Sequence, residues 1–259
     1  MYRYWQSTSL TFEPRLSTNW LANIAVLQKV LSFPPPSLLL GKIQFYPTTA
    51  PSHLIIADNI LPTCISRTAL SKGLQHTSGL VRYMTILTLT ASMKMFSLVT
   101  SNINTVIATF EDNEPGSASK AQAEKISQER KTAILNWKGC LRKVRDELCR
   151  RLPGVQLLAT LYSSAISSAK PDSVNTGVDT TDEKNLMQDS ILRLIMLFQS
   201  YLPEVMIEAK FDFSNFMPSD LSAVKPVAQM HLLELLLTLN DFRWSNKPGM
   251  YISVFARRK

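Results

Sequence analysis

The chain has 259 residues, 45% of them hydrophobic and 19% charged, which is enough for one large domain or two modest ones with a real core and too apolar for a disordered chain. Its 8 glycines are few for an all-β fold or for phosphate-cradling loops, so the composition leans towards helices. A net charge of +8 and a pI near 9.4 favour contact with nucleic acid or anionic lipid, although many proteins this basic bind neither.

The three cysteines, Cys64, Cys140 and Cys149, are an odd number and have no close metal-knuckle spacing. They fit a reducing compartment and propose no metal site. The opening Met1-Tyr-Arg-Tyr-Trp-Gln6 has no apolar stretch behind a basic one and does not read as a signal peptide. No run reaches the ~18 uninterrupted apolar residues of a membrane span. The most apolar stretches, 84–91 and 232–239, are broken by Thr or Glu. No membrane contact is therefore expected.

In chain order, a first helix is expected after Ser17 or Thr18, either of which can cap it. Its predicted apolar face is Leu21, Ile24, Ala25, Leu27, Val30 and Leu31. Pro34-Pro35-Pro36 stops it. Residues 37–60, with Pro47 and Pro51, read as a long irregular connection with a short strand at 42–46. A second helix is expected from Pro62 to Leu74, then a turn at Thr77-Ser78-Gly79. A third, from Leu80 to Phe110, carries a stripe of Leu80, Met84, Leu87, Ala91, Met95, Leu98 and Val106. Tyr83, Ile86, Leu89, Phe96, Val99 and Ile107 add apolar surface elsewhere, so this helix should be buried on most sides.

Residues 111–119 read as an exposed loop. A fourth helix is expected from Lys120 to Leu152, ended by Pro153-Gly154, and a fifth from Val155 to Ala169. Residues 170–181 read as a flexible loop. A sixth helix starts near Asp182, includes Leu186, Ile191, Leu194, Ile195, Leu197 and Phe198, and stops before Pro203. A short piece covers 204–209, a loop with several aromatics covers 211–225, and a last helix spans Pro226 to Asn240. Tyr251–Phe255 reads as a strand or as chain cut from its context. Helix after helix, without a fixed repeat period, predicts an all-α fold: an irregular armadillo- or HEAT-like α-solenoid or helical array. The expected division is 1–61 (first helix and Pro-rich connection), 62–245 (helical-repeat domain) and 246–259 (a tail).

No pattern of enzymatic chemistry emerges. There is no Gly-rich phosphate loop, G-x-S-x-G or H-E-x-x-H. His53, His76 and His231 are far apart and read as surface or interhelix hydrogen-bonding groups. Acidic residues sit singly or in loops, so no carboxylate pair is proposed. No catalytic residue, cofactor, metal or small-molecule substrate is expected.

The concentrated feature is the fourth helix. Between Lys120 and Arg151 there are ten basic and four acidic residues, leaving +6 of the chain's +8 on one element. Its apolar stripe is Ile134, Trp137, Leu141, Val144, Leu148 and Leu152, at spacings of three and four. Lys138, Arg142 and Arg145 fall on the rim of that stripe, where they suit a phosphate backbone or an acidic partner. Against this, Arg142–Asp146, Asp146–Arg150, Lys143–Glu147 and Glu147–Arg151 are i,i+4 neighbours that can simply staple a solvated face. Trp137 reads as core.

The run from Ile60 to Arg82, with its centre Leu70-Ser-Lys-Gly-Leu-Gln-His76 followed by Leu80-Val-Arg82, resembles the N-terminal domain of the nucleolar pre-ribosomal-associated protein family. A looser match is His231-Leu-Leu-Glu-Leu-Leu-Leu with Asp241-Phe-Arg-Trp244 behind it. The first run reads physically as a helix hairpin: Leu70 and Leu74 inward, Gly73 for close approach, Ser78-Gly79 for the turn. Lys72, His76 and Arg82 cluster near that turn. Two roles fit them: rim contacts to RNA or protein, and hydrogen bonds to the last helix carbonyls.

The resemblance implies a very large helical-repeat scaffold without a catalytic site. It implies residence in the nucleolus, inside the nucleus, and action early in maturation of the large (60S) ribosomal subunit. The partners it implies are ribosome assembly factors, including a DEAD-box RNA helicase, and pre-ribosomal RNA. The chain is far shorter than such a scaffold, and its ends suggest truncation. A helical-repeat adaptor binding only protein is the alternative expectation.

Overall fold

A computed structural model describes residues 10–35, 46–112, 120–167, 179–211, 213–216 and 225–238. The elements are α1 (Thr18–Leu31), α2 (His53–Ile60), α3 (Arg67–Leu74), α4 (Gly79–Asp112), α5 (Lys120–Arg151), α6 (Gln156–Ser167), α7 (Asp179–Tyr201), α8 (Pro203–Glu208), a 3-10 turn (Phe213–Phe216) and α9 (Pro226–Thr238). Among the described residues the protein is all-α, with no strand. Of the loop expected at 111–119, residues 111–112 end α4, and of the loop expected at 170–181, residues 179–181 open α7; the rest of both, residues 42–45 of the expected strand, Asp241–Trp244 and Tyr251–Phe255 lie outside the described residues.

The chain forms two compact units. One comprises residues 1–73 and 87–153, the other 74–86 and 154–259. The long helix α4 contributes its turns through Ile86 to the second unit and the rest to the first.

In the first unit, Ser17 caps α1 by accepting from the Trp20 amide at 3.3 Å. The buried face is Trp20, Ile24, Leu27 and Leu31. Ala25, expected inside, is exposed, because Trp20, four residues before Ile24, sets the face. The Trp20 indole donates to the Phe12 carbonyl, and Gln28 donates to the Thr88 hydroxyl at 3.0 Å, tying α1 to α4.

The irregular connection expected at 37–60 contains a helix, α2. It buries Ala57, Asp58 and Ile60 and packs against α5. A carboxylate in the middle of eight residues disguises the apolar face. Asp58 is only 5% exposed, and Arg151 at the end of α5 reaches it by an Nη1 hydrogen bond. The same nitrogen donates to the Leu61 carbonyl at 2.8 Å, and Nε donates to Glu147 at 2.9 Å. One guanidinium therefore joins two carboxylates and the end of α2. The helix expected from Pro62 begins at Arg67, because Ser66 caps it, accepting from the Ala69 amide at 3.0 Å.

The buried face of α4 also differs from the predicted stripe. Leu80 and Leu98 of the stripe are exposed while Met95 and Val106 are buried; Ile86, Leu89, Phe96 and Ile107 are buried as expected, joined by Val81, Met93 and Ile103. Thr85, Thr88, Thr90 and Ser92 share that buried surface. Thr85 returns its hydroxyl hydrogen to the Val81 carbonyl at 2.8 Å. Such back-bonding lets polar letters sit inside a helical core, which hides the true face from a hydropathy stripe.

In the second unit, α7 is central and packs against α6, α8 and α9. Ile191, Leu194, Ile195, Leu197 and Phe198 are buried as the pattern requires, but Leu186 is exposed. Helix α7 begins at Asp179, ahead of the expected Asp182. Tyr162 of α6 stacks on Phe216 with ring centres 4.6 Å apart, and Phe216 lies 5.3 Å from Phe211. Burial, with Asp189 nearby, pushes the Tyr162 phenol up to about 12.

The end of α8 explains why the aromatics gather there. Lys210 has φ 46, its amide donates to Ile207, and the Phe211 amide donates to Met206, each at 3.0 Å. That is a Schellman closure, with Met206 and Phe211 both buried as its apolar contact. A lysine holds the left-handed position that glycine fills at least cost. Lys210→Gly is therefore expected to raise stability by about 0.5–1 kcal/mol, read from urea unfolding. A loss of stability would contradict the closure.

Arg151→Ala leaves the Asp58 carboxylate buried and unpaired. It is expected to cost roughly 3 kcal/mol, read as the shift in urea unfolding followed by tryptophan fluorescence. The neighbouring Arg150, exposed at 74% of its side chain, should change stability by less than about 0.5 kcal/mol on the same substitution. Equal effects would contradict the anchoring role.

Candidate functional site

Helices α4 and α5 meet along a small core of Ile103, Val106, Ile107 and Trp137, against which Val99, Phe110, Ile134 and Leu141 also pack. The α5 stripe predicted from sequence is the buried one: Trp137, Val144, Leu148 and Leu152 are all buried, joined by Ala133 and Cys140. Trp137 is core, and its indole donates to the Pro47 carbonyl at 3.0 Å. Asn136 and Cys140 donate to the carbonyls of Thr48 and Pro51. Three side chains of α5 thus fasten the segment before α2. Burial pushes the Cys140 thiol up, with Lys143 partly opposing.

With the stripe turned inward, its rim is left facing a groove of about 450 Å³. Lys138, Arg142 and Arg145 of α5 line it together with Asn104, Ile107, Ala108 and Glu111 of α4 and Leu141. The floor is apolar and the α5 side is cationic. Lys138 already holds a carboxylate, Glu111, at 3.0 Å, and both side chains are about half exposed. Arg142 is exposed and Arg145 half-buried. Sequence reasoning proposed the three cations and missed their α4 partners. The signal was available: 104, 107, 108 and 111 stand on one helical face.

Several other cations hold ion pairs or hydrogen bonds within the protein. Arg150 meets Glu147 at 3.2 Å and Arg151 meets it at 2.9 Å, so the Glu147–Arg151 pair predicted at i,i+4 forms. Lys72 pairs with Glu13. Arg82 donates to the His76 carbonyl at 3.3 Å, and the His76 ring accepts from the Ser78 amide at 3.0 Å. The structure thus joins His76 and Arg82 and gives Lys72 a different partner. Leu70 and Leu74 are buried as the hairpin requires.

A second hollow of about 280 Å³ is lined by residues 49–53 and by Asn136, Gly139, Cys140 and Lys143 of α5. His53 is in this hollow, in the first unit, while His76 and His231 belong to the second. His231 lies 3.6 Å from Glu234 on its own helix. Among the described residues no three His, Cys, Asp or Glu side chains are grouped to hold a metal ion. No described helix is long and apolar enough to cross a membrane.

No family model matches the chain, and no solved structure matches it. The chain is similar to nucleolar pre-ribosomal-associated protein 1 of Mus musculus, at 22% identity over 268 residues covering 93% of the chain. It is similar also to the Homo sapiens protein of the same name, at 21% over 266 residues and the same coverage. The chain spans 11% of the length of these relatives.

Proposed function

We propose that the chain is part of a non-enzymatic scaffold for early assembly of the large ribosomal subunit in the nucleolus. Similarity along 93% of the chain to proteins named as nucleolar and pre-ribosomal-associated carries this reading. It extends well beyond the two runs that first suggested the resemblance, and takes in the basic helix.

The architecture agrees with the role. The described elements are helical, and packed helices present surfaces on which partners can dock. The protein is proposed to act by holding assembly factors, a DEAD-box RNA helicase among them, and pre-ribosomal RNA. Phosphate contacts draw on the cations along the outer side of α5, such as Lys131 and Lys143, both exposed. An irregular solenoid, continued beyond 62–245, is the architecture proposed for the whole scaffold.

A protein-only adaptor is the second reading, and one observation favours it: the α5 cations best placed as a group share their groove with a carboxylate. Immunoprecipitation of the native protein containing this chain, followed by sedimentation, separates the readings. Large-subunit precursors and assembly factors are expected to come down together. Recovery of neither would overturn the scaffold reading, and assembly factors without precursor RNA would favour the protein-only adaptor.

A further inference from the structure

From the groove between α4 and α5 we infer a docking site for an acidic amphipathic segment of a partner protein, about two helical turns long. The inference rests on the scaffold reading and names the chemistry of one partner. The wall from Asn104 to Glu111 and the wall from Lys138 to Arg145 each run eight residues, a rise of roughly 10 Å along a helix. Two turns of a partner fill that length.

The lining sets the chemistry. Ile107, Ala108 and Leu141 give an apolar floor, and Lys138, Arg142 and Arg145 stand along one side. An apolar strip beside a cationic rail is complementary to a helix with leucine-like residues on one edge and carboxylates on the next. Arginine at a partly desolvated rim is the residue type that interfaces enrich. Glu111 acts as an internal stand-in: its carboxylate on Lys138 shows that the groove accepts a carboxylate where a partner would place one. Because both side chains are half exposed, that pair contributes little and is readily exchanged.

The same facts weigh against RNA here. No aromatic ring lines the groove, and Trp137 is buried beneath it, so bases have nothing on which to stack.

The test is site-specific photocrosslinking in cells, with the full native protein carrying p-benzoylphenylalanine in place of Asn104 on the exposed rim. The control position is Ala25, exposed on α1. The expected capture is a protein segment whose carboxylates flank apolar residues at helical spacing. The double reversal Lys138→Glu with Arg142→Glu should reduce that capture about tenfold, the effect of ~1.4 kcal/mol, without moving the urea midpoint. Capture of RNA would overturn the inference and leave the scaffold reading standing. An acidic segment from a protein unrelated to ribosome assembly would support the groove and overturn the scaffold reading. A captured segment without carboxylates, one that survives the reversal, or no capture above the Ala25 control would each overturn the inference.

Discussion

The first unit is organised around one guanidinium. Arg151 lies at the last position of α5 and meets Asp58 of α2, the carbonyl that ends α2, and Glu147 of its own helix. Charges this deeply buried are tolerated only when paired and hydrogen-bonded. The requirement runs in both directions. Asp58 holds the C-terminus of α5 in place, and Arg151 permits a short helix with a central carboxylate to lie against α5. At the other end of the contact, Trp137, Asn136 and Cys140 fasten the carbonyls of residues 47–51. Helix α5 is therefore fixed from Asn136 to Arg151 on the α2 side. The inward turn of its apolar stripe then decides which cations are left outside.

That rotation connects sequence to surface. Once Val144 and Leu148 face inward, Lys138, Arg142 and Arg145 fall together on the rim to one side of the buried row. The neighbouring face of α4 supplies the floor through Ile107 and Ala108. The groove lies between α4 and α5, above their shared core of Ile107 and Trp137. Its charge is a consequence of which α5 residues flank the stripe. A helix with +6 gives a positive field whatever its rotation, but only this rotation sets three cations beside an apolar floor.

Much of this was legible in the letters, and the exceptions have physical causes. The α5 stripe and its rim were readable because the helix is strongly amphipathic, and Pro153-Gly154 marks its end. The helices α6, α8 and α9 were placed by their prolines and turn residues. Three features were hidden, two by polar groups inside the core and one by a residue at a turn. Asp58 masks α2 because its partner is 93 residues away. Thr85 and Thr88 conceal the buried face of α4 because hydroxyls satisfied locally or by Gln28 behave as core. Lys210 gave no sign of a left-handed closure, since glycine is its usual signal. The groove itself was half visible: the cations stood out as a charge cluster, whereas Glu111 and Ala108 gain meaning only when α4 lies beside α5.

The central claim is that this chain belongs to a scaffold working on precursors of the large ribosomal subunit. Crosslinking followed by sequencing of RNA bound in cells to the native protein containing this segment tests it most directly. Reads concentrated on large-subunit ribosomal RNA precursors are the predicted result. An absence of enriched RNA would contradict contact with the pre-ribosomal RNA, and would reduce the outer charge of α5 to a solvated face.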